Sequence, residues 1–163
     1  HMNQHIKTGH RAKSKYEKTL SASISKALLF YFIVLLSYAA LSKITEGNSL
    51  YIRLINAPLY LSTDLAGFGQ WFIPITELVL AISISFKTSR KIGYIGIALL
   101  FVLLSIYAGW ITWFLPNKPC SRGGLISLLS WKQHVVFNLL NLILSLIGWY
   151  LTQRPIKANP KTI

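Results

Sequence analysis

The chain has 163 residues, of which 53% are hydrophobic, and carries 17 lysine and arginine residues against 4 acidic ones. A soluble protein with a net charge of +13 is typically a nucleic-acid binder with one basic face. Here the basic residues lie between and beyond long apolar stretches, which is the pattern of a membrane protein and argues against nucleic-acid binding. The length suits a single domain.

The first 25 residues form a polar, basic tail. His1 and Met2 resemble the remnant of a cleaved tag, and the residues that follow are too polar for a secretory signal. We expect a cytoplasmic arm, disordered or partly helical, that lies on anionic lipid, where each lysine or arginine contributes about 1 kcal/mol. A second basic cytoplasmic tail is predicted at residues 153–163.

Between the tails, the sequence predicts a membrane domain over residues 26–152. A spanning helix needs about 20 mostly apolar residues. Four stretches meet this requirement, at residues 26–44, 68–86, 92–115 and 132–151. The predicted fold class is therefore an all-α integral membrane protein, a bundle of four transmembrane helices.

The loop between the first two spans is itself partly apolar. Its leucine and isoleucine residues alternate loosely with polar ones until Pro58 interrupts them. We predict a short interfacial helix followed by a turn in this first outer loop.

Basic residues also indicate the orientation. Most of the 17 lysines and arginines lie in the two tails and in the short link between the second and third spans. By the positive-inside rule, both termini are cytoplasmic and the other loops face outward. In a bacterium this predicts a multi-pass inner-membrane protein whose outer loops face the oxidising periplasm.

The single cysteine, Cys120, lies in the outer loop between the third and fourth spans. Nearby positive charge from Lys118 and Arg122 favours the reactive thiolate. Gly123 and Gly124 let the backbone approach a partner closely. One reading is a partner-facing loop whose cysteine forms a mixed disulfide, and the other is an inert cysteine; a lone thiol cannot close a disulfide within its own chain.

The fourth span is predicted to begin with a capping box. Ser130 is its N-cap and Gln133 reaches back to it from the third helical position. This places His134 in the first turn, beside the cysteine loop, where it is a candidate base. Trp131 next to it is a candidate contact for a partner.

A polar stripe continues along the same span. His134, Asn138, Asn141 and Ser145 are three or four residues apart, so they share one helix face, which we expect to look into the bundle.

An acidic residue, Glu77, lies about 14 Å into the second span at about 1.5 Å per residue. A carboxyl group at this depth is either protonated or paired, and Lys43, higher on the first span, is within reach of it. The same count of depth predicts a polar layer across the bundle, formed by Tyr38, Glu77, Tyr107 and Asn138. Such a layer is a structural hydrogen-bond cluster, a proton relay or a site for a polar head group. No metal site is predicted.

Several of these segments together resemble the MauE/DoxX family of redox-associated membrane proteins, in the form common in Bacteroidetes. The matching stretches are residues 38–44, Trp71-Phe72-Ile73-Pro74-Ile75-Thr76-Glu77, residues 119–124 and residues 129–138 with Trp131, His134 and Asn138. The resemblance covers roughly residues 27–151. It implies a four-helix membrane bundle associated with periplasmic thiol–disulfide chemistry, similar to the bundle that passes electrons between cysteines and a quinone in the vitamin K epoxide reductase group.

One position departs from that family pattern. The loop typically reads Cys-Ser-Cys-Gly-Gly, whereas this chain has Arg122 at the second cysteine. We therefore expect an accessory or assembly subunit of a periplasm-facing envelope complex, with an envelope protein as its partner. The alternatives are a thiol–disulfide oxidoreductase acting through Cys120 with a partner thiol or a quinone, and a small-solute transporter.

Overall fold

A computed structural model describes residues 2–46, 48–55, 62–114 and 130–153. Within these ranges the chain is helical and contains no strand. The helices are α1 (Met2–Thr45), α2 (Ser49–Ile55), α3 (Thr63–Ser85), α4 (Arg90–Phe114) and α5 (Trp131–Gln153). The predicted all-α class and the predicted short helix in the first loop are confirmed.

Four of the described helices are long and apolar enough to cross a membrane. The spanning segments are Thr19–Thr45, Thr63–Ser85, Arg90–Phe114 and Trp131–Gln153. Most of their ends lie within a few residues of the ends predicted from the sequence. The first span differs most, because α1 continues without a break through residue 25. The boundary between the basic tail and the first span therefore stays a prediction from charge alone.

Neighbouring helices along the chain also pack together in space. α1 packs on α3, α3 on α4 and α4 on α5, and α5 returns to contact α1 more sparsely. α2 packs on α3, where Gly69 leaves room for the side chain of Leu54. α1 ends and α3 begins at the same end of the bundle, where α2 also lies. We call this the α2 end. The sequence predicts that this end faces outward.

The core lies in the interior of the bundle, where buried side chains of α1, α3 and α4 come together. Leu28, Phe32, Leu36 and Ala40 are buried at intervals of four residues, so they form one stripe of α1. The ring of Phe32 stands nearly edge-on to that of Tyr94 on α4, with 6.0 Å between the centroids. Both side chains are completely buried. Large apolar side chains on all four spanning helices face outward instead, as contact with lipid requires; they include Phe30, Phe72, Leu103 and Ile143.

Close packing of α4 on α5 depends on Gly148. A Cβ atom at this position would lie 2.7 Å from Cζ and 2.9 Å from Cδ1 of Tyr94. The tyrosine ring has no room to retreat because Phe32 packs against it. The glycine thus lets a large aromatic side chain pack directly on the α5 backbone.

We predict that Gly148→Ala destabilises the bundle, because the new methyl group overlaps the Tyr94 ring and overpacking costs about 1–3 kcal/mol. The matched control is Gly67→Ala on α3, where a Cβ atom meets nothing within 4 Å. The measurement is thermal or denaturant unfolding in detergent micelles, followed by circular dichroism. Equal stability of the two variants would contradict this packing.

Candidate functional site

An ion pair inside the bundle joins α1 to α3. Nζ of Lys43 lies 2.7 Å from Oε1 and 2.9 Å from Oε2 of Glu77. The glutamate side chain is 5% exposed and that of the lysine 22%. The predicted pairing of these two residues is confirmed. The nearly buried carboxylate is thus neutralised by a cation that lies closer to the surface of the bundle.

The ammonium group of Lys43 has one further contact. Its Nζ donates to the backbone oxygen of Ala39, one turn earlier in α1, at 3.3 Å. This is the longest of the three hydrogen bonds of Nζ, and its acceptor is a backbone oxygen of α1 itself. Two of the ammonium hydrogens are therefore held firmly by Glu77 and the third is held weakly.

A second polar contact joins α1 to α5. The hydroxyl of Tyr31 donates to Oδ1 of Asn141 at 2.9 Å. Nδ2 of Asn141 donates to the backbone oxygen of Phe137 at 2.9 Å. Asn141 is 1% exposed, so both ends of its amide are satisfied inside the bundle.

The predicted polar stripe of α5 faces the interior. Asn138, Asn141 and Ser145 are buried, and His134 is half-buried. The hydroxyl of Ser145 donates to the backbone oxygen of Leu142 within its own helix. This confirms the prediction that the stripe looks into the bundle.

The predicted polar layer, however, is not one connected layer. Tyr38 is 47% exposed and lies on the outer surface of α1, so its placement in the interior is wrong. Tyr107 is half-buried on α4. Among the described residues, no hydrogen bond links Tyr38, Tyr107 or Asn138 to Glu77. The depth count carried no information on how exposed Tyr38 is in the folded bundle.

Sequence reasoning missed Tyr31, the residue that does reach α5 from α1. The helix face gives no signal that separates the two tyrosines, because Tyr31 and Tyr38 are seven residues apart and share one face of α1. It also missed Tyr94, whose buried hydroxyl has no hydrogen-bond partner among the described residues.

The start of α5 has the predicted capping box. The backbone N–H of Ser130 donates to Oε1 of Gln133 at 2.8 Å, and the N–H of Gln133 donates to Oγ of Ser130 at 3.4 Å. His134 follows, with its ring centroid 5.7 Å from that of Trp131. Its buried Nδ1 has no partner among the described residues. The histidine is thus held at the α2 end of the bundle.

The other predicted site residues fall outside the described part of the chain. These are Cys120 and the loop residues Lys118, Arg122, Gly123 and Gly124. The thiol site, with His134 as its base and Trp131 as a partner contact, therefore stays a prediction. Among the residues that the structure describes, no group of three or more histidine, cysteine or acidic side chains could hold a metal ion.

Comparison with known proteins gives a family. Residues 21–151 match the family model described as methylamine utilisation protein MauE, which covers all four spans and the cysteine loop. No curated protein and no solved structure gives a significant match.

Removing either partner of the Lys43–Glu77 pair is predicted to destabilise the bundle unequally. Lys43→Met leaves a nearly buried carboxylate unpaired and is expected to cost about 3–5 kcal/mol. Glu77→Gln leaves an ammonium that is more exposed, so it is expected to cost less. The double variant should recover part of the loss, and unfolding in micelles measures all three. Additive costs in the double variant would show that the pair is not coupled. Equal costs for the two single variants would contradict the expected difference between the buried carboxylate and the more exposed ammonium.

Loss of the α1–α5 hydrogen bond is predicted to cost less than loss of the ion pair. Tyr31→Phe removes a neutral donor from Asn141 and should destabilise the protein by about 0.5–1.5 kcal/mol in the same unfolding assay. Tyr38→Phe is the matched control, because that side chain lies on the outer surface and should leave stability unchanged. A larger effect at Tyr38 than at Tyr31 would overturn the assignment.

Proposed function

The chain belongs to the MauE family, and from this premise we propose that it is an accessory or assembly subunit of a periplasm-facing envelope complex. It sits in the inner membrane with both termini in the cytoplasm, as the distribution of basic residues indicates. In this role the α2 end of the bundle and the loop that carries Cys120 face the partner.

The single cysteine is the observation that carries this proposal. Thiol–disulfide exchange needs a second sulfur. This chain has Arg122 at the position where the family pattern described above has its second cysteine. A partner protein must therefore supply the disulfide. The thiolate of Cys120 attacks one sulfur of that disulfide, which forms a mixed disulfide and releases the other sulfur as a thiolate. The released thiolate of the partner can then attack the partner's own sulfur in the mixed disulfide. This reverses the step, re-forms the disulfide of the partner and frees the thiolate of Cys120.

Three features of the described residues support a subunit that holds a partner in a fixed geometry. The Lys43–Glu77 pair fixes α1 against α3, and the Tyr31–Asn141 hydrogen bond fixes α1 against α5. The capping box fixes the first turn of α5, which contains His134 and directly follows the cysteine loop. A bundle tied in this way presents its end as a defined surface to a partner.

Co-purification from native membranes tests this role. Thiols are blocked by alkylation at lysis, the chain is isolated in mild detergent, and the sample is divided for treatment with and without reductant. We expect an envelope protein to remain bound in both samples, and a reductant-sensitive adduct to be visible on non-reducing gels.

The control is Cys120→Ser, which keeps the size of the side chain and removes the sulfur. The adduct should disappear in this variant while the partner still co-purifies. A monomer without a partner under all these conditions would overturn the accessory role. A partner retained solely through Cys120 would instead favour a thiol–disulfide oxidoreductase.

A further inference from the structure

A small polar cleft lies above the Lys43–Glu77 pair, at the α2 end of the bundle. Its walls are Lys43, Ile44, Asn48, Gln70 and Trp71, and its volume is about 120 Å³. That is room for about four water molecules at about 30 Å³ each, or for a head group of a few heavy atoms.

The cleft exists because α1 is shorter than α3 at this end. Lys43 lies in the last turn of α1, which ends at Thr45. α3 begins at Thr63, so about 21 Å of helix separate its start from Glu77 at about 1.5 Å per residue. α2 packs beside this upper part of α3 near Gly69. The space between the end of α1 and the upper part of α3 thus opens above the ion pair.

Pro74, which is buried in α3, removes one backbone hydrogen bond next to this space. Proline lacks the N–H that would bond to the backbone oxygen four residues earlier, which here belongs to Gln70. Gln70, Pro74 and Glu77 are four and three residues apart and so share one face of α3, the face that meets Lys43. A freed carbonyl at membrane depth needs a donor from a neighbouring helix, a side chain, a water molecule or a ligand.

Donors are also present in the cleft. The third hydrogen of the Lys43 ammonium is held weakly by Ala39, at 3.3 Å, so an oxygen atom in the cleft competes for it effectively. The side-chain amides of Asn48 and Gln70 each donate as well as accept. A ligand that fits must therefore accept one hydrogen bond and donate another, which is what a hydroxyl group does.

Charge and position restrict the ligand further. The positive charge of Lys43 is already neutralised by Glu77, so a full anion would lose its hydration without meeting net positive charge. Trp71 is 58% exposed and Ile44 41% exposed on the lipid-facing side of the cleft, where an apolar chain can lie. We propose that this cleft binds the uncharged, hydroxyl-bearing head group of a membrane amphiphile, whose hydroxyl accepts from Lys43 and donates to the backbone oxygen of Gln70. This site is independent of Cys120 and of the proposed partner.

Two sources have this chemistry, the glycerol hydroxyl of a diglyceride and the sugar hydroxyls of a glycolipid. The probes are dioctanoylglycerol and octyl glucoside, each added to protein purified in a detergent without hydroxyl groups. Acetylated forms of both probes, which cannot donate, are the ligand controls. Binding is measured as a saturable rise in the thermal unfolding midpoint, because a ligand that binds the folded state stabilises it.

We expect one of the two hydroxylated probes to bind and its acetylated form not to bind, and the probe that binds identifies the source. Pro74→Ala restores the helical N–H that satisfies the Gln70 oxygen, and should raise the apparent Kd about 2- to 12-fold, the loss of one hydrogen bond. Gln70→Leu keeps the backbone oxygen but removes a side-chain amide from the wall of the cleft, and should also weaken binding. Gly67→Ala, on the same helix with open space around it, is the matched control and should bind as the unchanged protein does.

Three results would overturn the site. The absence of saturable binding by both hydroxylated probes would show that the cleft holds water alone. Equal binding of the acetylated probes would show that the hydroxyl is not recognised. Binding unchanged in both Pro74→Ala and Gln70→Leu, with each variant folded by circular dichroism, would place the ligand elsewhere.

Discussion

The ion pair between Lys43 and Glu77 is the constraint on which the rest of the bundle depends. A glutamate whose side chain is 5% exposed within a spanning helix is tolerated because an ammonium group lies 2.7 Å away on a neighbouring helix. The pair therefore fixes how α1 and α3 are rotated about their axes. It also sets the height at which α1 ends beside α3, and so the position of α2 and of the cleft above the pair.

The hydrogen bond between Tyr31 and Asn141 complements the ion pair on the other side of α1. One polar contact holds α1 to α3 near the α2 end, and the other holds α1 to α5 three turns closer to the N-terminus. Apolar packing of Phe32 against Tyr94 fills the space between these helices and α4. Because lipid is as apolar as leucine, such polar contacts and close packing at Gly148, more than hydrophobic burial, hold spanning helices together.

The proposed accessory role and the proposed cleft concern different parts of the same end of the molecule. The role depends on a partner sulfur that meets Cys120, whereas the cleft depends on the free carbonyl that Pro74 creates at Gln70. A proline three residues before a buried glutamate thus has a local consequence that neither residue would have alone. It removes a backbone hydrogen bond at Gln70, which lines the same cleft as the lysine that neutralises the glutamate.

Local pattern determined much of this protein from the sequence alone: the four spans, the short helix after the first, the capping box of α5 and its inward polar stripe. Each of these features depends on the spacing of residues within one segment of the chain, and that spacing can be read directly from the sequence. The tertiary structure alone decided that Tyr31, two turns before Tyr38 on the same face of α1, bonds to Asn141 on α5, and that the polar residues form two separate contacts instead of one layer. Counting residues gives the face and the depth of a side chain, but the neighbouring helix that it meets at that depth depends on how the helices pack against one another.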